Sequence, residues 1–252
     1  MINLIKPKVE LIPQPRTIED AYKFLELVGR VCYKSENRIT EESAENFLVS
    51  LYKRGHLSIF AHLTTGKHAK DLRRTIEFFK GPTNGDHKEF LKALIGDMMC
   101  AKLTDIYPTP FTFRITCSRS CSHQLVRHET SLFAQESMRY CNYKGNVTVI
   151  EPLWLKDLDT SIKEEYLSYL EKSSQAYDNL ILSGLKPEQA RGVLPQDVKT
   201  ELIMTFPRIL VTSNGKDIDL VDHFLKLRLD PHAQDEIRFI AKEINALTNY
   251  NL

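Results

Sequence analysis

The 252-residue chain lacks any apolar run near the roughly 20 residues that a membrane-spanning helix needs, so no membrane association is expected. Its first residues, MINLIKPKVELIPQPRT, have neither the apolar core nor the small-residue cleavage site of a secretory signal, and they read as strand. The five cysteines are odd in number and form no CxxC pair. Without a secretory signal, the expectation is reduced thiols in the cytoplasm. Cys117 and Cys121 are four apart, but a zinc site needs two more good ligands. We read them as buried thiols and expect no metal. Neither sign of charge is in excess: 34 basic residues face 33 acidic ones, for a net +1. The broad basic field of a nucleic-acid-binding protein is therefore missing, and no nucleic-acid partner is expected. There is no GxGxxG, no Walker pattern, no GxSxG elbow and no internal repeat.

What is present suits a soluble globular chain: 42% apolar and 27% charged residues. VELIP alternates as a short strand does. Thr17, with Asp20 three residues on, reads as the N-cap of a helix over IEDAYKFLELVGRVCY. Thr40 is expected to open a second helix that Gly55 closes. From Gly66 to about Asp105 the pattern suggests two amphipathic helices around the turn GPTNGD. TPFTFRITC, GNVTVIEP and KTELIMTF read as strands. A long helix is expected from about Leu158 to Ser183, ended by Gly184, with Pro187 opening the next element. GKDI marks a turn before two last helices, LVDHFLKLR and HAQDEIRFIAKEINAL. Strands and helices without regular βαβ alternation argue an α+β fold. The expectation is one domain over 1–252, with a helical insertion at about 66–105.

One stretch stands apart. SHQLVRHETSLFAQESMRY, Ser122 to Tyr140, is dense in hydrogen-bonding side chains and follows a strand, so it reads as a polar site loop. With Arg114 and Arg119 just upstream, Arg127, Arg139, His123 and His128 make six possible cations in a short span, opposed by Glu129 and Glu136. Such a local excess in a neutral chain suits a phosphate or pyrophosphate, which guanidinium grips bidentately. Ser131 and Ser137 can add hydroxyl hydrogen bonds. The competing possibility is an arginine network that only pins loops.

The order Arg127-His128, Ser137, Arg139-Tyr140 resembles the signature of the flavin-dependent thymidylate synthases: Arg-His-Arg, seven residues, Ser, then x-Arg-Tyr. RVCYKS (Arg30 to Ser35), GH.S (Gly55 to Ser58), ARGVLP (Ala190 to Pro195), HFLKLR (His223 to Arg228) and HAQDEIR (His232 to Arg238) resemble further blocks of that family, in the same order. The resemblance implies a twisted, mostly antiparallel sheet with long helices. It also implies reductive methylation of dUMP to dTMP, with methylenetetrahydrofolate, FAD and NADPH, in a homotetramer with shared sites.

By that resemblance, Gln124, Leu125, Val126 and Arg127, with Gln135, Glu136, Ser137, Met138 and Arg139 of a neighbouring chain, hold the nucleotide. Arg191 grips its phosphate. Arg228 is the catalytic residue, favouring the N3 anion of the pyrimidine. Ser58, Arg127, His128, Glu129, Gln135 and His223 face the flavin. The chain differs from the pattern at Glu129, where the signature has its second Arg. Leu132 replaces a frequent Ser, and Ala61 stands where a Glu usually precedes His62. Asp217 and Asp219 lie near the positions of an Asn-x-Arg flavin contact. A second reading therefore stands beside the first: a pyrimidine-nucleotide-binding homologue, non-catalytic or of altered specificity, with weakened FAD binding.

Overall fold

A computed structural model describes residues 2–63, 86–104, 109–207, 209–211 and 217–249. The expected helix before Gly81, its turn GPTNGD and the first half of the GKDI turn (Gly215 and Lys216) lie largely outside these residues. The sequence's N-terminal strand is two, β1 (Asn3–Ile5) and β2 (Lys8–Ile12). Helix α1 (Ile18–Tyr33) starts as expected. The Thr17 hydroxyl accepts from the Asp20 amide at 3.0 Å, and the Asp20 carboxylate accepts from the Thr17 amide at 3.1 Å. This reciprocal box satisfies two of the orphan donors of the first turn.

Helix α2 (Ser43–Lys53) begins two residues later than Thr40 suggests. The Ser43 hydroxyl is drawn into a tertiary bond to the carboxylate of Glu26 on α1, at 2.8 Å, and accepts from the Thr40 amide. Gly55 does close α2, at φ +74°, with the Gly55 and His56 amides donating back to Tyr52 and Leu51. That is the paired bonding of a left-handed helix stop. Where α1 crosses α2, a Cβ on Gly29 would lie 2.8 Å from the Phe47 ring, so glycine permits the close approach. A short 3-10 segment, Leu57–Leu63, leads on to α3 (His87–Thr104), which falls in the expected helical insertion and packs Leu91, Leu94, Ile95 and Met99 into the core.

The stretch expected to be a polar loop is not one. After β3 (Phe111–Ser118), residues Arg119–Leu125 form helix α4, headed by the Ser118 hydroxyl on the Cys121 amide. Leu132–Gln135 then form a sheet strand, β4. The remaining elements are β5 (Thr148–Ile150), α5 (Thr160–Leu182), α6 (Pro187–Ala190), β6 (Lys199–Phe206), β7 (Ile209–Val211), β8 (Asp217–Asp219), α7 (Leu220–Arg228) and α8 (Asp235–Thr248). Gly184 follows α5 at φ +90° and Pro187 opens α6, as read from sequence. The pair β7·β8 was not foreseen.

The fold is α+β. Its central sheet has four strands in the order β2-β3-β6-β4, every pair antiparallel. Strand alternation divides the core. Ala134 and Ile203 face α1, α2 and α3, whereas Phe113, Ile115, Cys117, Met204 and Phe206 face α7 and α8. A third cluster lies under α5, where Leu170 and Tyr177 meet Val147, Val149 and Val198 beside the parallel pair β1·β5.

Candidate functional site

Arg228 is the last residue of α7. Its Nε donates to His128 Nε2 at 3.0 Å and its Nη2 donates to the Gln124 carbonyl at 3.1 Å. The short helix α4 presents that carbonyl at its C-terminal end, and the turn after it delivers His128, whose amide donates to Leu125. His128 is set edge-on to Phe224, one turn before Arg228 on α7, with ring centroids 4.8 Å apart. Burial, the Arg228 charge and His223 hold its pKa down at about 4. His128 is thus neutral near pH 7 and accepts a hydrogen bond at Nε2. The sequence count of cations must be corrected here, because a neutral imidazole does not grip phosphate.

Arg114 leaves that count too. It lies on the α1 face of β3, where its Nε donates to Glu201 at 2.8 Å and its Nη2 bonds Glu201 and Glu36. Lys34 at 2.6 Å and Lys199 at 2.8 Å bind the other Glu201 oxygen. Burial alone would raise the Glu201 pKa, yet Lys199, Lys34 and Arg114 together hold it at about 2. Lys199 also reaches the buried Glu136 at 3.0 Å, which in addition accepts from the Tyr143 hydroxyl at 2.8 Å and the Glu201 amide at 3.0 Å. The Glu136 side chain therefore pins the signature segment to the sheet. The arginine-network reading holds for Arg114, whereas Glu136 is held by a lysine, a tyrosine and a backbone amide.

The rest of the segment splits into two patches around α4. On one, Gln124 lies by Arg228, with exposed Arg127, Glu129 and His223 nearby in the chain or in space. Among the described residues, neither Arg127 nor Glu129 has a hydrogen-bonding or ion-pair partner through its side chain. Leu125 is buried core and Val126 half-buried. On the other patch, Gln135 Nε2 donates to Ser122 at 2.9 Å and to Thr200 at 3.3 Å. Arg119 also donates to Thr200, at 3.4 Å, and feels the charge of Arg191. Arg191 is exposed at the end of α6, and Arg139 reaches Glu188 of that same helix at 3.4 Å. The Ser137 hydroxyl accepts from the Arg139 amide at 3.3 Å, and among the described residues its own proton has no acceptor. Met138 packs into the cluster under α5.

Ser131 has a buried hydroxyl with no hydrogen-bond partner among the described residues. A buried polar atom left unpaired is rare in folded chains, so this hydroxyl has a hydrogen bond to offer a water or a ligand. Exposed Ser58 sits in the Leu57–Leu63 segment. Just before it, His56 stacks on Tyr33 with centroids 6.0 Å apart and bonds its hydroxyl, and Tyr33 meets Tyr140 at 5.8 Å. The Ser137 amide donates to the Cys32 carbonyl at 3.0 Å. Segments that resembled one family in sequence therefore meet in space, around residues Cys32, Tyr33, His56 and Tyr140. Sequence reasoning did not single out Thr200, Lys199, Tyr143 or Tyr33 as site residues. The only signal for them was position inside or beside a matching block.

Cys117 and Cys121 lie with Glu236 so that their ligand atoms fall within 4.8 Å of one another. Both Glu236 oxygens are already used, by the Ser118 amide at 2.7 Å and hydroxyl at 2.6 Å. This ties α8 to the head of α4.

The family model for thymidylate synthase complementing proteins matches residues 83–249. The chain belongs to this family. It is 38% identical to a flavin-dependent thymidylate synthase of Pyrococcus furiosus over 135 residues, 52% of this chain and 51% of that protein. It is 33% identical to one of Geobacter sulfurreducens over 135 residues, 53% and 54% of the two chains. With one of Mycobacterium bovis the identity is 26% over 247 residues, 92% of this chain and 77% of that protein. The chain thus spans about half the length of the first curated relatives it matches. Arg127, Arg191 and Arg228 all fall inside the part that this family's model covers.

Proposed function

We propose that this protein is a flavin-dependent thymidylate synthase, converting dUMP to dTMP with methylenetetrahydrofolate as carbon donor and NADPH as reductant. The observation that carries the reading is Arg228. Its guanidinium is oriented by a backbone carbonyl and by a neutral imidazole, and two of its five N–H donors are so used. The others remain for a ligand. A fixed cation beside the pyrimidine stabilises its N3 anion, and that charge, delocalised to C5, readies C5 to attack the folate carbon. Arg191 holds the nucleotide phosphate, with Arg139, Ser137 and Gln135 beside it and Gln124 to Arg127 completing the site. Ser137 orients the nucleotide and forms no bond to it.

The residues fit FAD. The turn after α4 offers an arginine without an ion-pair partner among the described residues and the orphaned Ser131 hydroxyl, both suited to diphosphate oxygens. Arg127, His128, Gln135, Ser58 and His223 would hold the group, and Glu129 opposes it. Bound FAD supplies the hydride equivalent that turns the transferred carbon into a methyl group. We further propose a homotetramer with sites shared between subunits, located in the cytoplasm. In it, residues 1–252 act as one domain and about 66–105 as a helical insertion. No helix among the described residues is long and apolar enough to cross a membrane.

Equilibrium dialysis against dUMP and FAD, separately and together, tests the reading. Binding of both supports it. Binding of dUMP with no FAD uptake at any concentration would indicate a nucleotide-binding homologue, and binding of neither would remove the proposal.

A further inference from the structure

At the far end of β3 from α4, a cleft of about 720 Å³ opens between the segment after β2, the start of α1 and the end of α3. Its apolar wall includes Ile12, Pro13, Phe24 and Leu27, and its charged lining is Arg16, Lys23, Lys102 and Asp20. These charges are not equally free. Lys23 is paired with Glu19 at 2.7 Å. The Asp20 carboxylate is bound to the Arg16 and Thr17 amides as part of the α1 cap. Exposed Arg16 has no side-chain partner among the described residues.

Half-buried Lys102 is the unusual member. Its ammonium has only a neutral partner among the described residues, the Gln14 Oε1 at 2.6 Å, and it lies 6.0 Å from the centre of the Phe24 ring. The Gln14 amide cannot turn away, because its Nε2 donates to Thr112 at 2.7 Å. Thr112 in turn bonds Thr205 at 2.8 Å, and Thr205 bonds the buried His62 at 2.8 Å. The sheet interior therefore fixes the amide and aims Lys102 into the cleft. A desolvated cation with no counter-charge is unfavourable, and an anion that enters the cleft removes the penalty. Burial accordingly holds the Lys102 pKa down at about 8.

We propose that this cleft binds an organic anion with an aromatic or apolar body, its acidic group meeting Lys102 and Arg16 and its body lying against Phe24, Leu27 and Pro13. The inference stands apart from the site around Arg228 and does not rest on the thymidylate synthase reading.

Fluorescence titration of the full chain with anilinonaphthalene sulfonate, and with phenylnaphthylamine as its uncharged counterpart, tests it. The wild type should bind the sulfonate about tenfold or more tightly than the neutral probe, as one charge-assisted contact provides. Lys102→Met, which keeps the apolar stem, should erase that preference. Arg16→Ala, on the rim and outside the core, should weaken the sulfonate two- to fivefold and leave the neutral probe unchanged (about the worth of an exposed charge). Arg228→Met should change neither probe. The proposal is overturned if Lys102→Met keeps the preference, or if Arg228→Met abolishes it. Should Lys102→Met fail to fold, an Arg16→Ala variant that binds the sulfonate as well as the wild type overturns it instead.

Discussion

Arg228→Met is the perturbation that bears most directly on the site. The guanidinium spends one N–H on His128 and one on the Gln124 carbonyl. Among the described residues, three donors and the full charge are left for a ligand. A charge-assisted contact in such a place is worth about 1.5–3 kcal/mol, so dUMP affinity should fall about ten- to a hundredfold by calorimetric titration. The fold should persist, because Phe224 and Leu225 carry the packing of α7 and Arg228 is only part-buried at its end. The same variant gives an internal check. Burial is the larger cause of the low His128 pKa of about 4, and the Arg228 charge is the next. Removing that charge should let the His128 value rise toward 6.5 in an NMR titration, without reaching it, since burial remains. Wild-type dUMP affinity together with a moved His128 pKa would refute the ligand role. An unmoved pKa would refute the electrostatic account of the pair.

Glu129→Arg should tighten FAD binding, because it removes a carboxylate and adds a cation beside Arg127. The gain should shrink as salt rises, and equal affinity at low and high salt would refute charge repulsion. Arg191→Ala should weaken dUMP about ten- to a hundredfold by titration while leaving thermal stability unchanged, since its side chain is exposed. Acid should destabilise the protein through His62, whose buried ring is held near pKa 3. Between that value and the unfolded 6.5 the unfolded chain binds the extra proton, so stability falls with pH, by about 3 kcal/mol at about pH 4. Urea unfolding of wild type and His62→Gln at neutral and acid pH checks this, and equal acid losses in the two would contradict it. Light scattering should give about four chain masses, whereas a clean monomer would exclude shared sites.

Local features of the fold were legible because their causes are local. The Thr17 and Asp20 box, the left-handed Gly55 and Gly184, and Pro187 at the first position of a helix each act within a few residues. The signature stretch was misread because its helix and strand carry too few apolar residues to set a period. Only Cys121, Leu125, Leu132 and Ala134 are buried in the core from them. Arg114 was misassigned for a different reason. Its partner Glu201 lies 87 residues away, and only the antiparallel register of β3 with β6 brings them together. In the same way, the start of α2 moved because Ser43 answers to Glu26 across a helix interface. The importance of Arg228 was visible only through a resemblance over several ordered blocks. Its geometry against His128 and Gln124 depends on how α7 meets α4.

The central claim is tested most directly by single turnover. Protein loaded with FAD and reduced by NADPH is mixed with dUMP and methylenetetrahydrofolate in the absence of oxygen, and the nucleotide is separated by chromatography. The account predicts dTMP formation that requires all four small molecules and is lost in Arg228→Met. Full dUMP and FAD binding with no dTMP would contradict it.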